Sequence, residues 1–330
     1  MSEMTQHHSI GVVVIGRNEG ARLGQCLLSV THLAATVVYV DSGSTDGSVA
    51  LARNLGATVV ALNLDIPFTA ARARNAGLRH LRQLAPALRH VQFVDADCQI
   101  VPGWMDSASR FLDEHPGIAA VCGRRRERYP EQSVYNGLCD IEWDTPVGET
   151  RACGGDAMMR VDAFESVHGF SPTLIAGEEP ELCVRLRAVG WRIWRMAEEM
   201  TLHDAAMQHF GQWWRRTLRG GYAFAEGARL HGAAPERHWV RESRSAWFWG
   251  MGVPLLAVVA VLWWGAWGLL LLAIYPLQII RLALRGKQTH YSNWQRAVFL
   301  VLGKFPEMIG QLKFLAHHHA GGQPQLIEYK

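Results

Sequence analysis

Two features of the 330-residue chain predict an α/β fold with a mostly parallel central sheet over its first 200 or so residues. Short apolar runs alternate with stretches of helical spacing, the pattern of βαβ units. Three of those runs also end in clusters of polar residues, and ligands of such sheets bind at the carboxyl ends of the strands.

The elements follow in order. "IGVVVIG" (Ile10 to Gly16) reads as a buried strand and "ARLGQCLLSV" as the helix after it. "ATVVYVDSG" is a second strand, "TDGSVALARNLG" a helix ending at Gly56, and "ATVVAL" a third strand. "TAARARNAGLRHLRQL" has helical spacing, and "HVQFVDAD" is a fourth strand. "PGWMDSASRFLDEHPG" and "IAAVCG" add a helix and a strand. From Arg124 to Arg151 the pattern is irregular and predicts a long functional loop. In "GEEPELCVRLRAVGWRIWRM", Leu182, Leu186 and Val189 form an apolar helical stripe, Pro180 sits in the first turn, and "WRIWRM" returns as a strand after Gly190.

A different kind of segment comes later. From Ser245 to Ile280 there is no charged residue and no histidine. As one helix it would reach about 50 Å, against a bilayer core of about 30 Å. Two crossings of about 17 residues fit better, with the bend at "WWGAWG" (Trp263 to Gly268). Tryptophans favour the interface: Trp263, Trp264 and Trp267 suit the far headgroups, Trp247 and Trp249 the near ones. Arg241 and Arg244 precede the segment, and Arg281, Arg285 and Lys287 follow it, so both flanks are expected on the cytoplasmic side of an inner membrane. A buried helical hairpin in a soluble protein is the competing reading. "RAVFLVLGKFPEMIGQLKFLAHHH" then suits an amphipathic interfacial helix kinked at Pro306, followed by a loose tail. The expected domains are 1–240 (catalytic), 241–285 (hairpin) and 286–330 (interfacial helix and tail).

The net charge of +3 implies no nucleic-acid partner. The six cysteines form no CxxC pair or zinc spacing and fit a reduced intracellular protein. The N-terminus carries Glu3 and lacks the apolar core of a signal peptide.

Three strand ends carry the candidate chemistry: Arg17-Asn18-Glu19, Asp41-Ser42-Gly43-Ser44 and Asp95-Ala96-Asp97. Asp95 and Asp97 offer hard oxygen ligands suited to Mg²⁺ or Mn²⁺; a solvated turn is the alternative. Ser42 to Ser48 offer hydroxyls and backbone N–H groups near a helix start, suited to anionic or ribose groups, or form a plain turn.

"VVVIGRNEG", "VVYVDSGSTDGS", "ARARNAGL", "FVDADCQI", "CGGDAMMR" and "GEEPELCVRLRAVGW" together resemble glycosyltransferase family 2 over residues 10 to 220. The resemblance implies a GT-A fold, a nucleoside-diphosphate-sugar donor (UDP- or GDP-sugar) and transfer with inversion. It implies an acceptor hydroxyl on a membrane-borne glycan or lipid-linked acceptor, as in membrane-attached members that build polysaccharides or glycolipids. Carried over position by position, Asn18, Glu19, Asp41, Arg74, Asn75 and Asp95 bind donor, and Asp97 and His203 bind the metal. Gly154 and Gly155 match a pair on the acceptor side. Where the family often has Glu-Asp, this chain has Glu178-Glu179, so the base position falls to Glu179, one methylene longer. Ordinary helix-start acidity is the other reading of those glutamates, with Glu181 and Arg185 as an i,i+4 pair. Arg215 and Arg219, in "GQWWRRTLRGG", suit a diphosphate or lipid phosphate, or simply a basic juxtamembrane helix. Two further functions fit some of the same residues: a sugar-phosphate nucleotidyltransferase, and a non-catalytic nucleotide-sugar-binding membrane subunit.

Overall fold

The computed structural model describes residues 10–34 and 36–320. The tail 321–330 and the first nine residues, read above from sequence, lie outside the described residues. The chain divides into two compact units, one ending at Ala206 and one beginning at Met207.

The first unit comprises β1 (Ile10–Gly16), α1 (Ala21–Leu28), β2 (Thr36–Asp41), α2 (Ser48–Asn54), β3 (Thr58–Ala61), α3 (Ala70–Leu84), β4 (His90–Asp95) and β5 (Cys98–Ile100). It continues with α4 (Trp104–Glu114), β6 (Ile118–Glu127), α5 (Val134–Glu142), β7 (Gly148–Thr150), β8 (Ala157–Arg160), α6 (Val161–Ser166), α7 (Glu178–Ala188) and β9 (Arg192–His203). The strands form one sheet in the order β3-β2-β1-β4-β8-β6-β9-β5, with β7 paired to β9. Its first half, β3 to β4, is parallel. Beyond β4 the sheet is mixed: β8 runs antiparallel to both neighbours, and only β6 and β9 pair in parallel. Apolar runs mark strands but carry no direction, so the mixture was not legible in them.

Parallel register places the polar strand ends side by side. Gly16 lies opposite Asp41, and Ile15 opposite Asp95. Val12, Val13, Val14, Tyr39, Val40, Phe93 and Val94 are fully buried between the helix layers. At Gly77 of α3 a Cβ would come within 2.4 Å of Val13 Cγ1, so only glycine lets this helix lie so close to the sheet.

The segment from Arg124 to Arg151 is not the irregular loop that its pattern suggests. β6 continues to Glu127, α5 follows with Ser133 capping its start, and β7 closes the segment. The charged run Arg124-Arg125-Arg126-Glu127 hid the strand: Arg125 and Glu127 turn to the site, while Arg124 pairs with Asp140 and Arg126 with the exposed Glu199.

The second unit contains α8 (Phe210–His231), α9 (Val240–Trp247), a π-helical turn over Phe248–Gly252, α10 (Val253–Trp264), a 3-10 stretch over Gly265–Ala273, α11 (Ile274–Leu284), α12 (His290–Leu302) and α13 (Lys304–His319). The helical run Val240–Leu284 is long and apolar enough to cross a membrane. It is not straight. The Tyr275 hydroxyl donates to the Trp249 carbonyl at 2.5 Å. Residues so far apart would be separated by about 39 Å along a straight helix. The reversal falls at Gly265, whose φ of 60° suits glycine. At Gly268 a Cβ would lie 2.2 Å from Val261 N, so the arms touch there. The outer surface is strongly apolar: Leu262 and Trp263 are 79% and 80% exposed. The break between α12 and α13 falls at Gly303, not at Pro306. Pro306 instead occupies the first turn of α13, where a missing N–H costs no helical bond. α13 packs closely on α8, where a Cβ at Gly221 would meet Glu307 O at 2.0 Å.

Candidate active site

Register brings the metal candidates together. β5 pairs antiparallel with β9, placing Cys98 opposite His203, while β6 pairs Glu127 with His203. His203 Nε2 therefore lies 3.4 Å from Asp97 Oδ2, and its Nδ1 lies 3.4 Å from Glu127 Oε2. Burial, seconded by the nearby Arg125 guanidinium, pushes His203 below the ordinary imidazole value, so the ring is neutral. With Nδ1–H given to Glu127, Nε2 turns a lone pair toward the Asp97 carboxylate. In that tautomer a cation between the two acceptors would satisfy both, and a carboxylate behind the imidazole is the usual orienting partner of a metal-bound histidine. The Cys98 sulfur completes a group whose ligand atoms all lie within 4.8 Å of one another. The donor set fits a divalent cation.

Asp95 has different company. Arg74 Nη2 donates to its Oδ1 at 2.7 Å, and Arg125 Nη2 approaches Oδ2 at 3.7 Å. Burial alone would raise its pKa, but Arg74 and then Arg125 outweigh burial and hold it below the usual carboxylate range. Arg74 is itself buried and donates its Nη1 to Glu178 Oε1 at 2.6 Å. Its Nε has no hydrogen-bond partner among the described residues. At Gly155 a Cβ would lie 2.7 Å from Arg74 Nη2, so the glycine is what allows the guanidinium to reach Asp95.

The donor-loop residues form a second patch on the same sheet edge. The Gly43 and Ser44 N–H groups each donate to Asp41 Oδ2 at 3.0 Å, and the Tyr39 hydroxyl donates to Oδ1 at 3.0 Å. Asn18, at φ 56°, accepts from Thr45 N at 2.7 Å and donates its own N–H to Ser44 Oγ. Glu19 pairs with Arg22 at 2.7 Å. The buried Ser42 hydroxyl has no partner among the described residues, an orphan that a bound ligand would satisfy. Asn75 is engaged elsewhere: its side chain exchanges two hydrogen bonds with the Phe170 backbone. It pins the loop whose Phe170 ring lies 5.6 Å from the Arg74 guanidinium.

Glu178 and Glu179 open α7 behind Gly177, which caps the helix at φ 76°. Their side chains diverge. Glu178 meets Arg74, whereas Glu179 Oε1 accepts the Cys153 N–H at 2.7 Å and the Cys183 thiol at 2.9 Å. Burial pushes the Glu179 pKa above the ordinary glutamate value; hydrogen bonds from Cys153, Cys183 and the Gly154 backbone offset part of that. Gly154, at φ 84°, has open space where a Cβ would point. Glu181 is spent on Arg185, Nη2 to Oε2 at 2.8 Å, the i,i+4 pair its spacing predicts. Arg215 and Arg219 lie on α8 of the second unit.

Four residues escaped the sequence reading. Asp156, just before β8, accepts from Asp95 N at 2.9 Å and from Thr201 Oγ1 at 3.2 Å, linking β4 and β9. Arg125 spans Asp95 and Asp156, with its guanidinium 4.7 Å from the Trp143 ring centroid. Trp143 also meets His203 edge-on at 4.7 Å, and Glu127 orients that histidine. The only signals were the aspartate of "CGGD" and the charged run after β6.

One edge of this half-parallel GT-A sheet carries a candidate cation corner, a guanidinium–carboxylate cluster and a polar loop. Residues 11–167 match the model of "Glycosyl transferase family 2". Over that segment, just under half of the chain, the sequence is that of a family 2 glycosyltransferase. It is 27% identical over 177 residues to the succinoglycan biosynthesis protein ExoA of Rhizobium meliloti, 50% of this chain and 53% of that one. It is 43% identical over 51 residues to an uncharacterized glycosyltransferase of Rickettsia felis, 16% of this chain and 18% of that one. The chain thus spans at most about half the length of these curated relatives. Among solved structures, the mannosyltransferase PcManGT of Pyrobaculum calidifontis, in complex with GDP-Man and Mn²⁺, shares the fold with a TM-score of 0.60 at 17% identity. That match covers 92% of this chain and 87% of the other.

Proposed function

We propose that the chain is an inverting glycosyltransferase that moves a sugar from a nucleoside-diphosphate sugar to a hydroxyl of a membrane-borne glycan or lipid-linked acceptor. The observation that carries this reading is the facing pair Asp97 Oδ2 and His203 Nε2, 3.4 Å apart. The donor-edge residues Asp41, Asn18 and Asp95 stand at neighbouring strand ends. Asp97 and His203 would hold Mg²⁺ or Mn²⁺, with Glu127 orienting the imidazole. Such an ion supplies charge neutralisation on the leaving diphosphate. The GDP-Man and Mn²⁺ of the PcManGT complex agree with a donor and ion of these classes.

Each remaining group has a role in this reading. Asp41 holds the Gly43-Ser44 turn open to the base and ribose. Asp95, kept ionised by Arg74, faces the ribose. Glu179 takes the proton of the acceptor hydroxyl, whose oxygen attacks the anomeric carbon opposite the departing diphosphate. The two thiols and the Cys153 N–H hold Oε1, and Oε2 receives the proton. The apolar hairpin, with Leu262 and Trp263 almost bare, is read as inserted in the inner membrane with the catalytic unit on the cytoplasmic side. Similarity to a succinoglycan biosynthesis protein favours an acceptor in polysaccharide assembly.

The test is a screen of UDP- and GDP-sugars with Mn²⁺ and membrane extract, read as nucleoside diphosphate released and sugar transferred. Turnover with one donor supports the reading. Release of inorganic diphosphate from a sugar phosphate and nucleoside triphosphate would replace transfer by nucleotidyl transfer.

A further inference from the structure

One group of side chains around Glu179 goes beyond what a proton acceptor needs. Cys153 lies in the loop between β7 and β8, and Cys183 lies one helical turn past Glu179 on α7. Their sulfurs are 3.9 Å apart, and each lies on Glu179 Oε1, at 3.0 and 2.9 Å. All three ligand atoms fall within 4.8 Å of one another, and all three residues are buried. Both cysteines are free thiols.

The spacing matches tetrahedral coordination by a soft cation. Zinc–sulfur bonds of about 2.3 Å set two sulfurs of a tetrahedron about 3.8 Å apart. The observed 3.9 Å needs almost no adjustment. With a zinc–oxygen bond of about 2.0 Å, sulfur and oxygen should be about 3.5 Å apart. The carboxylate must therefore back away by roughly half an ångström, within reach of a flexible glutamate. Thiolates select Zn²⁺ over Mg²⁺ or Mn²⁺, which prefer oxygen.

We propose that Cys153, Cys183 and Glu179 form a binding site for a thiophilic divalent cation of the Zn²⁺ class, separate from the Asp97–His203 corner. Binding forms two Sγ–metal bonds and one Oε1–metal bond, and releases both thiol protons to solvent. No electron is transferred. With Glu179 ionised, the group carries a charge of −1 before and after: two thiolates and a carboxylate offset the dication to the same sum. Binding therefore adds no net charge to the buried group. Binding also takes the carboxylate out of use, so Zn²⁺ inhibits transfer. That consequence, unlike the site itself, rests on Glu179 being the base.

The experiment titrates the full-length protein with Co²⁺ in excess Mn²⁺ and follows thiolate-to-cobalt charge-transfer absorption, then measures Zn²⁺ inhibition of donor turnover. The expected result is a charge-transfer band that Cys153→Ser and Cys183→Ser each reduce by half or more and that Cys98→Ser leaves in place. The Cys98 variant separates this site from the sulfur beside Asp97. Zn²⁺ inhibition should weaken at least tenfold in the Cys153 and Cys183 variants. No band in the wild type, or a band lost only in Cys98→Ser, overturns the proposal. A band of the expected dependence without Zn²⁺ inhibition upholds the cation site and refutes Glu179 as base.

Discussion

Replacing Arg74 with methionine isolates the charge cluster at the centre of the site. The side chain is buried between two carboxylates, 2.6 Å from Glu178 and 2.7 Å from Asp95. Methionine fills much of the same volume and removes the charge. Asp95 retains Arg125 at 3.7 Å and is partly open to solvent. Glu178 fares worse: it is 8% exposed, and Arg74 is its only hydrogen-bond partner among the described residues. Removing one member of a buried pair leaves an uncompensated charge and costs about 3–5 kcal/mol. In a unit of this size each kcal/mol is worth about 2–4 °C, so the unfolding midpoint of the first unit should fall by about 6–20 °C. Thermal unfolding followed by tryptophan fluorescence reads it. Adding Glu178→Gln to Arg74→Met should recover about 1–3 kcal/mol, because it removes the stranded charge. A single variant within about 1 kcal/mol of wild type, or a double variant no better than the single, would refute the charge-cluster argument.

Other consequences concern catalysis and attachment. Glu179→Gln should lower kcat by about 10²–10⁴-fold while leaving donor affinity nearly unchanged. Since burial raises Glu179, its basic form is lost as pH falls through a value above the ordinary 4.5, and the acid limb of the kcat profile should lie above that pH and vanish in Glu179→Gln. His203 is shifted the opposite way, so the stability of the first unit should decline as pH falls below 6.5, where the unfolded chain takes up a proton that the folded one refuses. His203→Gln should flatten that decline. Val258→Arg, at an exposed mid-arm position of α10, should cost about 2.5–3.5 kcal/mol of insertion and move protein from the membrane pellet to the supernatant.

What the sequence made legible follows from what local pattern encodes. Strands β1 to β4 and their polar ends were readable because each apolar run stops where the sheet stops, and parallel pairing aligns Asp41 and Asp95 with β1 automatically. The partnership of Asp97 and His203 depends on β5 pairing with β9, over a hundred positions away, and only the family resemblance pointed to it. Glu127 was hidden because a strand carrying Arg124-Arg125-Arg126-Glu127 breaks the apolar pattern that defines a strand. The divergence of Glu178 and Glu179 has the same origin: both open one helix, and only the loop from Cys153 to Gly155 on one side and Arg74 on the other separate their roles. In the second unit the uncharged run predicted a reversal near Gly265, but the break at Gly303 lacked a local signal as strong as Pro306.

The central claim is that Asp97 and His203 hold the divalent ion, with Glu127 orienting the imidazole. Mn²⁺ titration by electron paramagnetic resonance, with nucleoside diphosphate present, tests it without depending on turnover. The account predicts one bound Mn²⁺ in the wild type, binding lost in Asp97→Ala and His203→Ala, and affinity lowered about 10–100-fold in Glu127→Gln. Mn²⁺ affinity in Asp97→Ala within about twofold of wild type, well inside the 10–100-fold expected even of an orienting partner, would contradict it.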